Sequence, residues 1–170
     1  MNNVTLIGMP GSGKSTIGVI LAKALRYEFL DSDLLIQKEE KRKLSEIIAQ
    51  DGPERFKEIE NRVNVAIHVT DTVIAPGGSV IYCEEAMEHL KSIGKVIYLK
   101  LSLEALSKRL GDLKGRGVLL KDGQSLKDLY EERVPLYEKY ADITIDEEGK
   151  DLDESLRAIL EIIHIKEQGK

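Results

Sequence analysis

The sequence predicts an α/β fold, a parallel sheet with helices on both faces, built by residues 1–170 as one domain. Three observations predict it. Short apolar runs alternate with longer segments of helical period along the whole chain. The first such junction carries Gly8-Met-Pro-Gly-Ser-Gly-Lys-Ser15, a turn of the form G-x-x-x-x-G-K-[ST] set between a strand and a helix. No internal repeat or Pro/Ser-rich linker divides the chain, and its length suits one substantial core.

Residues 4–7 (Val-Thr-Leu-Ile) read as a short buried strand, and 14–25 carry apolar residues at helical spacing. A second strand is predicted over 28–30, followed by helices over 34–40 and 44–49. Pro53 fits the first turn of a helix over 53–69, where a missing N–H costs little. Next come a strand over 72–75, a helix over 84–93 and a strand over 96–101. Ser102 and Ser125 are suitable N-caps for helices over 103–110 and 126–140. A strand over 143–145 and a helix over 152–163 complete the series. Residues 111–124 have no clear period and include Gly111, Gly115, Gly117 and Gly123. They read either as a mobile lid or as a plain surface connection.

Composition narrows the function. A formal net charge of −5 argues against a surface that coats nucleic acid, because no basic excess is available to neutralise phosphates. The mixed charges at 38–43 read as a solvated helix end. A single cysteine, Cys83, excludes an internal disulfide and suits a reducing compartment. No apolar run is long enough to span a bilayer, and the N-terminus lacks the pattern of a secretion signal. The expectation is a cytoplasmic monomer with no membrane or nucleic-acid partner.

The motif at Gly8–Ser15 carries the chemistry. Its glycines, Gly11 and Gly13 among them, let the backbone N–H groups of residues such as Ser12 curl toward phosphate oxygens. The helix that follows, with Thr16 in its first turn, adds its positive end. Lys14 can reach the β- and γ-phosphates of ATP, and the Ser15 hydroxyl can ligate Mg²⁺. A glycine-rich turn can match by chance, but here strand, Lys-Ser and helix are all in place.

Ligands of such sheets bind beyond the carboxyl ends of the strands. After the second strand stand Asp31 and Asp33, which would face one site if the segment were extended. One carboxylate can then serve the Mg²⁺ shell while the other accepts a proton from an acceptor hydroxyl. The alternative is a turn followed by a helix N-cap; beside a phosphate loop the functional reading moves ahead. After the third strand, Pro76-Gly77-Gly78-Ser79 lets backbone approach a small ligand closely. No aspartate ends that strand, which disfavours a motor ATPase and favours a small-molecule kinase. Phosphoryl transfer also needs cations. Arg116 lies in the candidate lid, Arg109 ends the helix before it, and Arg133 stands on the helix after it. Lys57 can present a cation to an anionic acceptor or serve as one charge on a solvated helix face. The three histidines lack metal-ligand spacing.

With these pieces in order, the chain resembles the shikimate kinases from near its first residue to about Ile163. The resemblance rests on residues 8–18, Phe29-Leu-Asp-Ser-Asp33, Phe56-Lys-Glu-Ile-Glu60, Gly77-Gly-Ser79, Arg116 with Leu119-Leu120, and Arg133-Val-Pro-Leu-Tyr137. It implies the three-layer phosphate-loop kinase fold, with five parallel strands in the order 2-3-1-4-5 and a lid. It also implies Mg²⁺- and ATP-dependent phosphorylation of the 3-hydroxyl of shikimate, in aromatic amino-acid biosynthesis. On this reading Lys14 and Ser15 hold phosphates and Mg²⁺, with Asp31 in the outer metal shell. Asp33 contacts the acceptor hydroxyls and is the candidate base. The acceptor-binding region spans about 31–62, Gly77 and Gly78 line the acceptor pocket, and Arg133 pairs with the acceptor carboxylate. Arg116 is the lid arginine, and Arg109 lies against the adenine.

The chain departs from the family pattern in three places. Lys57 stands where the family typically has an Arg that helps clamp the carboxylate; it keeps the charge but loses the planar fork. Ser79 replaces the third glycine of Gly-Gly-Gly. The lid reads Arg116-Gly-Val-Leu-Leu120 in place of Arg-Pro-Leu-Leu. Two further readings therefore stay open. One is a kinase of this architecture with another small polyhydroxy or carboxylated acceptor. The other is a non-catalytic nucleotide-binding module, which would have no use for Asp33, Arg116 and Arg133.

Overall fold

The computed structural model describes residues 2–110 and 121–168. Five parallel strands form one sheet: β1 (Asn3–Ile7), β2 (Glu28–Asp31), β3 (Thr72–Ala75), β4 (Gly94–Lys100) and β5 (Ile143–Asp146). Their order is β2-β3-β1-β4-β5, the one the resemblance implied. The helices are α1 (Lys14–Leu25), α2 (Ser32–Glu40), α3 (Leu44–Val65), α4 (Glu84–Ile93), α5 (Leu103–Arg109), α6 (Leu126–Tyr140) and α7 (Leu152–Gln168).

Side chains alternate across the sheet, and both faces are covered, so the strands are apolar throughout. Val4, Leu6, Ile97 and Leu99 meet Ile17 and Leu21 of α1 and Ile159 of α7 on one face. Ile7, Ile74, Val96 and Tyr98 meet Met87 and Leu90 of α4, Leu106 of α5 and Leu129 and Tyr137 of α6 on the other. A smaller cluster, Ile36, Ile47, Phe56, Ile59 and Val63, joins α2 to α3 beside β2 and β3.

Several elements differ from expectation, some by a residue or two at their ends and others for a local reason. The second strand continues to Asp31 and α2 starts at Ser32, because the Asp31 carboxylate caps the helix from the strand's last position. The predicted helices 44–49 and 53–69 form one element bent at Gly52 (φ 80°, ψ 169°), just before Pro53. That element stops at Val65, where Ile67 N turns back to Asn64 O and buries its side chain. A 3-10 turn at Val80–Tyr82 follows the double glycine. Of the predicted lid, 111–120 with Arg116 lies outside the described residues. The register aligns Asp31 with Ala75 and Val4 with Val73, so β1, β2 and β3 end side by side.

Candidate active site

The phosphate loop joins β1 to α1. Gly13 caps the helix in a left-handed conformation (φ 91°), and Gly11 is also left-handed (φ 80°), so both turns require glycine. Ser12 N donates to Met9 O at 3.1 Å and Ile17 N to Gly13 O at 2.9 Å. Lys14 Nζ folds over the loop, donating to Gly8 O at 2.9 Å and Met9 O at 3.0 Å. The Ser12 side chain is buried beneath the loop.

Asp31 caps a helix and also reaches the phosphate loop. Its Oδ1 accepts from Asp33 N (3.0 Å) and Leu34 N (3.2 Å), the bonds of an N-cap, while its Oδ2 accepts from Ser15 Oγ at 3.0 Å. The extended spacing expected to align Asp31 with Asp33 is absent, since Asp33 lies in the first turn of α2. The two carboxylates still reach one cleft, because capping aims the first at the helix end where the second begins.

That cleft encloses about 400 Å³ and runs from the loop to the end of β3. Gly11, Gly13, Lys14, Ser15 and Thr16 line one end; Asp31 and Asp33 flank it; Gly77, Gly78, Ser79 and Arg133 close the other, with Phe56 and Leu44 alongside. Arg133 of α6 is 1% exposed although charged. Its guanidinium stands 5.4 Å from the Tyr82 ring centre, and its charge acts on the hydroxyls of Tyr82 and Tyr137. Tyr137 OH donates to Gly78 O at 2.5 Å, and its ring stacks on Tyr98 with centres 5.1 Å apart. A side chain on Gly78 would start 3.0 Å from Pro10 and 3.1 Å from Arg133, so both neighbours would have to give by a few tenths of an ångström.

Burial sets the protonation of the cleft. It pulls the Lys14 ammonium down to about 8, opposed by the nearby Asp33 and reinforced by Arg133. It pushes the Asp33 carboxyl up to about 6, helped by Asp31 and resisted by Lys14. An acid that ionises near neutrality and lies beside a phosphate loop is suited to accept a proton.

Two assigned cations lie off this cleft. Lys57 points to Glu54 (3.3 Å) and over the Tyr82 ring (5.3 Å), lining a separate cavity of about 80 Å³ with Lys121, Gln124 and Glu132. Arg109 lies at the outer side of the loop, donating to Gly11 O at 3.4 Å. Sequence reasoning gave Glu60 no role. It is fully buried on α3, accepts from Ser79 Oγ at 2.7 Å, and is pushed up to about 7 by burial against the pull of that hydrogen bond. The signal was present: Phe56, Ile59, Glu60 and Val63 recur at helical spacing, so an acid sits inside an apolar stripe.

The shikimate kinase family profile matches residues 10–164. A shikimate kinase of Thermodesulfovibrio yellowstonii is 35% identical over 100% of this chain and 99% of its own length. The chain belongs to the shikimate kinase family. Among solved structures, a shikimate kinase of Acinetobacter baumannii in complex with shikimate is 32% identical, with a TM-score of 0.87 over 98% of this chain and 94% of that one. The shikimate kinase of Aquifex aeolicus is also 32% identical, with a TM-score of 0.85 over 99% of each chain. As a shikimate kinase family member the chain is an ATP-dependent kinase, which sets aside the non-catalytic module. Among the described residues no helix is long and apolar enough to cross a membrane.

The Mg²⁺ expected of such a kinase fits the donors present. Ser15 and Asp31 offer two hard oxygens side by side, and Mg²⁺ is usually held by one or two protein groups plus waters and substrate phosphates. Among the described residues no three His, Cys, Asp or Glu side chains form a metal cage.

Proposed function

We infer that this chain transfers the γ-phosphoryl group of ATP to the 3-hydroxyl of shikimate. The observation that carries this reading is the single cleft joining the phosphate loop, Asp33 and the buried Arg133. The neighbour solved with shikimate supports the choice of acceptor.

In this reading Lys14 and the N–H groups of residues 11–16 hold the ATP phosphates, and Ser15 and Asp31 hold Mg²⁺, which neutralises phosphate charge. The acceptor lies against the backbone of Gly77 and Gly78, with its carboxylate on Arg133. Its hydroxyl oxygen bonds to the γ-phosphorus as the bond to the β-phosphate oxygen breaks. Asp33 takes the hydroxyl proton, and ADP leaves. Arg116 adds positive charge to the transferring phosphate, and Arg109 borders the adenine. Lys57 adds longer-range positive potential on the acceptor side. The chain works as a single-domain monomer in the cytoplasm.

A second reading has one observation in its favour. Lys57 is engaged by Glu54 and Tyr82 outside the cleft, which leaves room for an acceptor other than shikimate. An ADP-release assay over shikimate, other hydroxy acids and polyols separates the two. Fastest turnover with shikimate is expected; robust turnover of another acceptor with none of shikimate overturns the first reading.

A further inference from the structure

Glu60 is a fully buried carboxyl group to which the proposed transfer assigns no step. The charges acting on it, from Asp33, Arg133 and Lys57, all belong to the acceptor side. Burying such a group without hydrogen bonds is costly, and Ser79, itself 5% exposed, supplies one by donating to Oε2. Glu60 Oε1 and Asp33 Oδ1 are buried without hydrogen-bond partners among the described residues. Both converge on Gly77: the position a Cβ would take there lies 2.7 Å from Asp33 Oδ1 and 2.9 Å from Glu60 Oε1. Lys57, three residues before it, is turned away to Glu54.

We propose that Ser79 is a positioning residue acting through Glu60: its hydroxyl holds the buried carboxyl so that Oε1 backs the corner of Asp33 and Gly77, where the acceptor's hydroxyl groups seat. The proposal rests on the acceptor pocket assigned above. The last torsion of a glutamate is soft and nearly two-fold, so an untethered carboxyl turns readily. Gly77 has no side chain to stop it. A turned carboxyl changes the surface presented to the acceptor while leaving the phosphate loop as it is.

The test is steady-state kinetics of the intact chain with the hydroxy acid it turns over fastest. Ser79→Ala should raise the KM for that acid about tenfold, the scale of one lost hydrogen bond. The KM for ATP should not change. Ser79→Thr, which keeps a hydroxyl, should restore most of the loss. The double variant Ser79→Ala with Glu60→Gln should be no worse than Glu60→Gln alone. An unchanged acceptor KM in Ser79→Ala, or fully additive effects in the double variant, overturns the proposal. Should Ser79→Ala fail to fold, Ser79→Gly carries the same expectation. If the wild-type chain prefers an acid other than shikimate, the proposed function falls alone, and the Ser79 comparison is read on that acid.

Discussion

Ser15 and Asp31, sixteen positions apart, meet at 3.0 Å through a hydroxyl donating to a carboxylate. The same carboxylate caps α2 with its other oxygen. One side chain thus ties the phosphate loop to the helix that carries Asp33, and metal affinity and helix stability share a residue.

Substitution at Asp31 separates those two duties. Asparagine caps helices about as well as aspartate, so Asp31→Asn should keep the thermal midpoint while raising the Mg²⁺ concentration for half-maximal activity about tenfold. Asp31→Ala should show the same metal defect and in addition lose about 1 kcal/mol of stability. Mg²⁺ titrations and thermal melts of both variants check this.

Asp33→Asn should leave ADP binding intact and cut turnover by about 10²–10⁴-fold, the usual contribution of a positioned base. It should also stabilise the fold at neutral pH. Burial raises the Asp33 pKa above the usual carboxylate range to about 6, so the folded state holds this proton more tightly than the unfolded one. The resulting stabilisation is full below the unfolded value and is lost as pH rises through about 6. Replacing the acid removes that loss, so the variant's melting temperature at pH 7 should exceed the wild type's. A lower one would contradict the burial assigned to this group.

The pH profile of kcat/KM follows from the same pair. Activity needs Asp33 ionised and Lys14 protonated. With Asp33 near 6 and Lys14 near 8, the free enzyme should give a bell with its acid limb near 6 and its alkaline limb near 8. A profile flat from pH 5 to about 9 would remove one or both from the chemistry.

Arg133 and Lys57 should differ sharply. Arg133→Lys keeps the charge but loses the planar fork, so the acceptor KM should rise by at least about tenfold with the ATP KM unchanged. Lys57→Ala should change it less, because that ammonium is spent on Glu54 and Tyr82 outside the cleft. Measured KM values for acceptor and ATP in both variants decide the ranking.

Gly77→Ala should leave nucleotide affinity near wild type and suppress turnover. The added methyl would stand 2.7 Å from Asp33 Oδ1 and 2.9 Å from Glu60 Oε1, forcing one carboxyl to move. A fully active variant would show that this corner is not where the acceptor reacts.

Much of the fold was legible because each level of the sequence agreed. The alternation of periods marked the strands, and the rule that ligands gather at strand ends pointed to residues 31–33 and 76–79 before any geometry was known. What was not legible depended on rotation about an axis. Phe56 faces inward, so Lys57, about 100° further round α3, faces outward, whereas Glu60, four residues on, returns to the buried side. The Asp31 and Asp33 pair was assigned to one site through an extended backbone that the cap of α2 replaces. A carboxylate at the end of a strand can begin a helix, and nothing in periodicity distinguishes the two.

The stacked Tyr98 and Tyr137, with Tyr82 against the same guanidinium, have an optical consequence. The chain contains no tryptophan and six tyrosines, and these three border or back the pocket wall at Arg133. Half of the tyrosines that give its near-ultraviolet circular dichroism and intrinsic emission therefore stand beside or behind one arginine. Loading of that wall can be followed by light on the unlabelled protein, with no engineered reporter.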